Sequence, residues 1–140
     1  MLVQPYLFFN GRCEEALDFY RRALGAEITM LMRIKDSPDP VPPERVAPGS
    51  EEKILHANLR IGATDVMASD GSCSGEPRFA GFSLSLMVSE AATADRVFAA
   101  LAEGGEVYMP LGETFWSPRF GMLTDRFGVG WMVNVAPDES

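Results

Sequence analysis

Residues 114–131 read TFWSPRFGMLTDRFGVGW and hold both tryptophans of the chain, with three phenylalanines and three glycines. Within this stretch, Asp125-Arg126-Phe127-Gly128 is typical of a tight turn, which Asp opens and in which Gly supplies a positive φ. The flanking segments 119–124 and 131–135 predict the two strands of a β-hairpin. Two interpretations stay open: a hairpin that closes the fold, or the rim of a binding site, where Trp and Arg combine apolar surface with a polar group.

Outward from this hairpin, one order of predicted elements occurs twice. Alternating or apolar segments predict strands at 3–9, 27–34, 54–61 and 64–69, and again at 82–88. Apolar residues spaced i, i+3, i+4, i+7, i+8 begin at Ala16 and again at Ala94, 78 positions later, and predict two helices. Asn10 is placed to cap the first helix. The pattern predicts two strand–helix–strand–strand–strand modules, at about 1–76 and 77–140.

The length fits one α+β domain, 1–140. Neither module could bury its sheet alone, so each needs a partner within the chain or in a second copy. Segment 36–50 interrupts the pattern, since it holds five of the ten prolines. It predicts a mobile loop, either without function or acting as a lid.

Composition narrows the class of partner. Twenty acidic and twelve basic residues leave a net charge of −8, which argues against nucleic acid and anionic membranes. Cys13 and Cys73 form no CxxC motif, so reduced thiols are expected. The N-terminus lacks a signal-peptide pattern, and no apolar run is long enough to span a bilayer. We therefore expect a cytoplasmic protein.

Several motifs carry a resemblance to a known family. The segments PYLFFNG (5–11), EALDFY (15–20) and LGA (24–26) resemble the opening of the vicinal oxygen chelate superfamily, which includes glyoxalase I and bleomycin-resistance proteins. HANLRIG (56–62), ETFW (113–116) and DRFGV (125–129) are similar to its PhnB-like (YjdN-like) branch. The resemblance implies two βαβββ modules that form a cupped mixed sheet, and a homodimer.

The resemblance also locates four metal-ligand positions. In metal-dependent relatives, His and Glu or Gln occupy one position near the start and one near the end of each module. Here these positions fall at Pro5, near 67–69, at Ser83 and at Met132, and none is His or Glu. Serine is a poor ligand, and a thioether suits softer metals. We therefore expect neither a metal nor another cofactor.

Candidate site residues lie in both modules. His56, the one histidine, shares a predicted strand face with Asn58 and Arg60; it could be a general base or ligand anchor, or a histidine bonded within the structure. Trp116 and Arg119 could hold a planar or anionic ligand; alternatively, Trp116 is packed and Arg119 pairs with an acid such as Asp125. Met132, with other methionines of module two, could line a cup or simply fill the core.

Two function classes follow. The first is a protein that binds a small hydrophobic or aromatic molecule in the cup without metal. The second is a metal-dependent lyase, isomerase or dioxygenase acting on a vicinal-oxygen substrate, with His56 as the candidate catalytic residue. A His56 that faces the cup beside a carboxylate favours the enzyme. The predicted ligand contacts are His56, Asn58, Arg60, Trp116, Arg119 and Met132.

Overall fold

The computed structural model describes residues 1–136. The chain divides into two compact units, Met1–Pro77 and Arg78–Ser140. We call them unit 1 and unit 2. Each contains one helix and one four-stranded mixed sheet, in the order β-α-β-β-β. The predicted α+β class and the repeated module are therefore confirmed.

Unit 1 consists of β1 (Tyr6–Phe8), α1 (Cys13–Leu24), β2 (Glu27–Arg33), β3 (Ile54–Ile61) and β4 (Thr64–Ser69). Its strands lie in the order β1-β4-β3-β2. β1 and β4 are parallel, and the other neighbours are antiparallel. Strand β1 is shorter than the predicted 3–9, because its ladder with β4 consists of the three pairs made by Tyr6, Leu7 and Phe8.

Helix α1 has the amphipathic character that its sequence predicts. Its apolar stripe is buried, its acids lie in the first turn and its arginines in the last turn, as the helix dipole favours. The helix ends at Gly25, whose left-handed φ of 67° lets its N–H donate to Arg21 O. A residue with a β-carbon adopts this conformation less readily, which accounts for glycine here.

The predicted cap of α1 is wrong. The helix begins after Arg12, and no side chain at that position caps it. The Asn10 side chain donates instead to Glu76 O at 3.3 Å. The buried Asp70, which follows β4, takes over the capping: its Oδ1 accepts the N–H groups of Gly11 and Cys13, both at 2.8 Å. A carboxylate at a helix N-terminus also complements the helix dipole.

The two faces of the unit 1 sheet differ in burial. Leu7, Ala57, Leu59 and Ala68 are buried with the apolar side of α1. The alternate positions of the same strands point to the opposite side. We call that side the open face of unit 1. It carries Tyr6, Phe8, His56, Asn58, Arg60, Asp65, Met67 and Ser69.

Segment 36–50 contains local structure. Single turns of 3-10 helix occupy Ile34–Asp36 and Pro43–Arg45. The N–H of Ala47 donates to Ser72 O at 3.0 Å, which links this segment to the connection that follows β4. Apolar side chains of the segment line a pocket of about 250 Å³. The predicted mobility of the segment stays a prediction.

Unit 2 repeats the plan with β5 (Leu84–Val88), α2 (Ala91–Ala102), β6 (Glu106–Gly112), β7 (Phe120–Thr124) and β8 (Gly130–Val135). The strand order is β5-β8-β7-β6, with β5 parallel to β8. No helix in the described part of the chain is both long and apolar enough to cross a membrane.

The predicted hairpin is confirmed as β7 and β8. Its turn closes through a hydrogen bond from Gly128 N–H to Asp125 O at 3.0 Å, and Gly128 has a φ of 93°. The buried Asp125 carboxylate accepts the N–H groups of Phe127 and Val129, and the indole N–H of Trp131 at 2.9 Å. Asp125 therefore joins the turn to the strand that follows it.

Helix α2 packs on the face of the unit 2 sheet to which Gly121 belongs. A β-carbon on Gly121 would lie 2.7 Å from Cε2 of Phe98, a buried residue of α2. Leu123 and Val133 share that buried face, because side chains alternate along a strand. The opposite side, the open face of unit 2, carries Ser85, Met87, Phe120, Met122, Met132 and Asn134.

Candidate ligand-binding surfaces

Two aromatic rings stand on the open face of unit 1. Tyr6 and Phe8 stack with ring centroids 4.8 Å apart and an interplanar angle of 18°. Their exposed fractions are 38% and 49%, whereas Leu7 between them is 3% exposed. Exposed stacked rings on a sheet face offer a flat apolar surface to a ligand.

His56 lies beside this pair and is not covered by α1. Tyr6 Oη and His56 Nδ1 are 2.9 Å apart and share a hydrogen bond. Burial raises the pKa of the Tyr6 phenol, with a smaller contribution from Cys13 and an opposing one from the Ser69 hydrogen bond. The phenol is therefore protonated at neutral pH and can donate to Nδ1. When the phenol donates to Nδ1, Nε2 is the ring nitrogen that can donate to a ligand.

A carboxylate beside His56 is the feature that would favour an enzyme. The partner that the structure gives His56, within residues 1–136, is the phenol of Tyr6. The neighbouring carboxylate on this face, Asp65, bonds Arg60 instead, through Nε at 3.0 Å and a second guanidinium nitrogen at 3.3 Å. This pairing lowers the pKa of Asp65.

Asn58 and Arg60 do share the face of His56, as the alternation predicts. Both are already engaged: Arg60 in the bidentate pair, and Asn58 through Nδ2, which donates to Thr29 Oγ1 at 2.7 Å. A ligand anion would have to compete with Asp65 for Arg60. The structure therefore favours a neutral ligand over an anion at this end of the face.

The open face of unit 2 is mainly apolar. Trp116 contacts Phe120 edge to face, with centroids 5.3 Å apart, and its exposed fraction is 46%. Met122 lies opposite both Met109 and Met132 in the sheet, so these three methionines share one side. Of the two alternatives for these methionines, the placement on the open face is the one that the strand register favours.

Arg119 points away from that surface. Its guanidinium pairs with Asp95 of α2, with Nε 3.1 Å from Oδ1 and a second nitrogen 3.2 Å from Oδ2. Of the two alternatives for Arg119, the structure shows the pairing with an acid, and that acid is Asp95. The Asp125 carboxylate accepts hydrogen bonds from its own turn and from Trp131. Arg119 thus lies on the α2 side of its sheet, and Trp116 on the open side.

The predicted metal-ligand positions do not fit a divalent metal. The carbonyl of Pro5 accepts the N–H of Met67 at 2.9 Å, and Met132 presents a thioether on the open face of unit 2. Among residues 1–136, no group of three or more His, Cys, Asp or Glu side chains could hold a metal ion. A donor set of this kind does not match the hard or borderline metals of oxygen-chelating enzymes.

Tyr6, Phe8 and Asn134 belong to these surfaces and were not in the predicted set. The alternation of Tyr6-Leu7-Phe8-Phe9 contained the signal for the first two, because it puts Tyr6 and Phe8 on one face. Asn134 follows the same rule on β8, between the buried Val133 and Val135. A polar residue in an otherwise apolar strand was the feature of the sequence that could have identified Asn134.

Comparison with known proteins identifies the family. The family described as 3-demethylubiquinone-9 3-methyltransferase matches residues 2–134. The chain belongs to this family. It is 38% identical to protein YjdN of Escherichia coli K12, over 99% of the chain and 98% of YjdN. The crystal structure of PA1353 from Pseudomonas aeruginosa is 45% identical over 99% of both chains, with a TM-score of 0.84. The predicted PhnB-like branch is confirmed.

A more distant structure supports the fold alone. A glyoxylase/bleomycin resistance protein/dioxygenase domain from Frankia sp. EAN1pec is 12% identical, with a TM-score of 0.71, over all of this chain and 94% of that one. The glyoxalase/bleomycin-resistance-like fold that the sequence motifs implied is thereby confirmed.

Proposed function

We propose that this protein binds a small hydrophobic or aromatic molecule on its open sheet faces, without the divalent metal of oxygen-chelating relatives. The observation that carries the proposal is the Tyr6–Phe8 stack, exposed on unit 1 beside the hydrogen-bonded His56. Covering a large apolar side chain contributes about 1.5–3 kcal/mol. A ligand that stacks on these two rings would gain a comparable stabilisation.

His56 supplies the polar part of this surface. Tyr6 fixes the imidazole through Nδ1, so Nε2 can donate to a carbonyl or ether oxygen of the bound molecule. Arg60 contributes little net charge, because Asp65 neutralises it. We therefore expect a neutral aromatic or hydrophobic compound with an acceptor oxygen as the preferred ligand of unit 1.

The family description names a methyltransferase, an activity that we do not propose for this chain. Nucleotide-like cofactors commonly bind at a glycine-rich turn between a strand and a helix. The turn from β1 to α1 carries one glycine, Gly11, and its N–H is bonded to Asp70. The metal-dependent lyase, isomerase or dioxygenase is the alternative function, and metal binding decides between it and our proposal.

The first experiment uses Nile red, a neutral aromatic dye with a carbonyl oxygen, and measures its binding by fluorescence to folded protein purified without chelator. We expect saturable binding that Phe8→Ala weakens about tenfold, because half of the stack is lost. Phe82→Ala is the matched control: Phe82 has a similar exposed fraction of 48%, but its ring contacts Phe79. An affinity that Phe8→Ala and Phe82→Ala lower equally contradicts the assignment to unit 1.

Elemental analysis of the same preparation tests the second part of the proposal. We expect substoichiometric Ni, Zn, Mn and Fe, and no uptake when each metal is added at micromolar concentration. Tight binding of one metal per chain would contradict the proposal and support the metal-dependent enzyme instead.

A further inference from the structure

We infer that Asn134 recognises a ligand on the open face of unit 2, and that this ligand is a planar apolar molecule with one N–H or O–H donor. The inference rests on the proposed function, since it specifies the chemistry of a molecule bound by the same protein. It concerns a residue and a surface outside the Tyr6–His56 cluster.

Asn134 occupies the middle of an apolar sheet surface. It lies opposite Met87 on β5 and opposite Phe120 on β7. Val133 and Val135, its neighbours on β8, are buried on the side of α2. The amide therefore points to the open face, where its immediate cross-strand neighbours are a thioether and a phenyl ring.

The acceptor oxygen of Asn134 is shielded from solvent and lacks a hydrogen-bond partner in the described structure. An unpaired buried acceptor is costly, and buried polar groups in folded proteins are almost always paired. A donor from outside the chain would complete the pairing of Asn134.

The surroundings of Asn134 define the rest of the ligand. Phe120 and the edge-on Trp116 provide an aromatic boundary, and Met87 and Met132 provide a deformable apolar floor. Sulfur–aromatic contacts favour a flat ring on such a floor. Arg119 cannot neutralise an anion here while it remains paired with Asp95. A neutral aromatic compound with a single donor fits this surface.

The test compares two isosteric probes, indole and benzofuran, which differ in the ring N–H that only indole carries. Isothermal titration calorimetry of each compound with the wild-type chain gives its dissociation constant directly. We expect indole to bind about five- to tenfold more tightly than benzofuran, as one hydrogen bond to a buried acceptor predicts. Asn134→Leu, similar in shape but without the acceptor, should abolish this preference.

Met132→Leu is the matched control, because it alters the apolar floor of the same face and keeps the amide. It should change the two dissociation constants by the same factor and leave their ratio intact. The wild-type comparison needs no variant, so equal binding of indole and benzofuran overturns the inference even if Asn134→Leu fails to fold.

The outcomes separate this inference from the proposed function. If the fluorescent probe binds but indole does not, or if indole and benzofuran bind equally, the Asn134 assignment is wrong and the proposed function stands. A preference that persists in Asn134→Leu is equally decisive against the assignment. If Asn134→Leu changes the sedimentation coefficient and not the selectivity, a second copy covers this face, which also overturns the inference. If no probe binds, both proposals fail.

Discussion

At the scale of single residues, each unit contains a buried aspartate that serves as a hydrogen-bond acceptor for the backbone. In unit 1, the Asp70 carboxylate accepts three N–H groups: those of Gly11 and Cys13 on Oδ1, and that of Ile54 on Oδ2 at 2.7 Å. In unit 2, Asp125 does the same for its turn and for Trp131. These carboxylates stabilise local geometry, and neither lies on an open face.

Replacement of Asp70 by Asn tests this structural role. The amide retains one acceptor and turns a donor toward at least one backbone N–H. Because hydrogen bonds to charged groups contribute about 1.5–3 kcal/mol each, we expect a loss of about 2–4 kcal/mol in the free energy of unfolding. Urea denaturation followed by circular dichroism measures the loss. The exposed Asp36 gives the control, Asp36→Asn, which should stay within about 0.5 kcal/mol of wild type.

At the scale of elements, the chain leaving α2 passes very close to the β7–β8 turn. A β-carbon on Gly105 would lie 2.2 Å from the carbonyl oxygen of Thr124 and 2.9 Å from Cα of Asp125. These are backbone atoms, which cannot move without displacing the turn. Gly105 thus permits the close approach of β6 to β7 that the sheet requires.

Gly105→Ala should therefore destabilise the chain by more than about 2 kcal/mol, since overpacking against fixed backbone costs about 1–3 kcal/mol or more. Gly112→Ala, at the far end of β6, is the control, because its β-carbon would meet only Pro110 O at 3.9 Å. Thermal unfolding of the two variants side by side measures the difference. Equal melting temperatures would contradict the close approach.

Sequence patterning predicted the elements well where the pattern is local. Strands β3 and β4 have the predicted bounds, because strict alternation identifies a half-buried strand. The cap of α1 was missed, since Asp70 lies almost sixty positions from the helix start. The same limit applies to the site: alternation put His56, Asn58 and Arg60 on one face, but the partners Tyr6 and Asp65 come from other strands. Only the strand order brings these residues together.

At the scale of the whole molecule, the two units share a fold and differ in the chemistry of their open faces. Unit 1 combines a tyrosine and a phenylalanine with His56 and an Arg60–Asp65 pair. Unit 2 combines methionines and aromatics with a single unpaired amide oxygen. A duplicated module thus provides two different surfaces. Phe8→Ala tests the first with the fluorescent probe, and Asn134→Leu tests the second with indole and benzofuran.

The edge strand of the unit 2 sheet is the basis for proposing a homodimer. Strand β6 is the outer strand of its sheet, and Val107, Tyr108 and Met109 are 43%, 64% and 41% exposed along it. Neighbouring side chains on a strand point to opposite faces, so both faces of this edge expose apolar surface. An uncovered apolar edge strand promotes pairing with another chain. We therefore propose that a second copy covers β6.

Sedimentation velocity at increasing protein concentration tests the dimer. We expect a dimer at micromolar concentration, and we expect Val107→Lys to shift the population toward monomer, because it would bury an unpaired charge in the interface. Thr64→Lys adds the same charge at an exposed position on β4 of unit 1 and should leave the dimer intact. The melting temperature of the wild-type chain should also rise with concentration, since association stabilises the folded state by mass action. A wild-type chain that sediments as a monomer at about 100 μM, far above the dissociation constants of stable dimers, would show that β6 has no second copy as its partner.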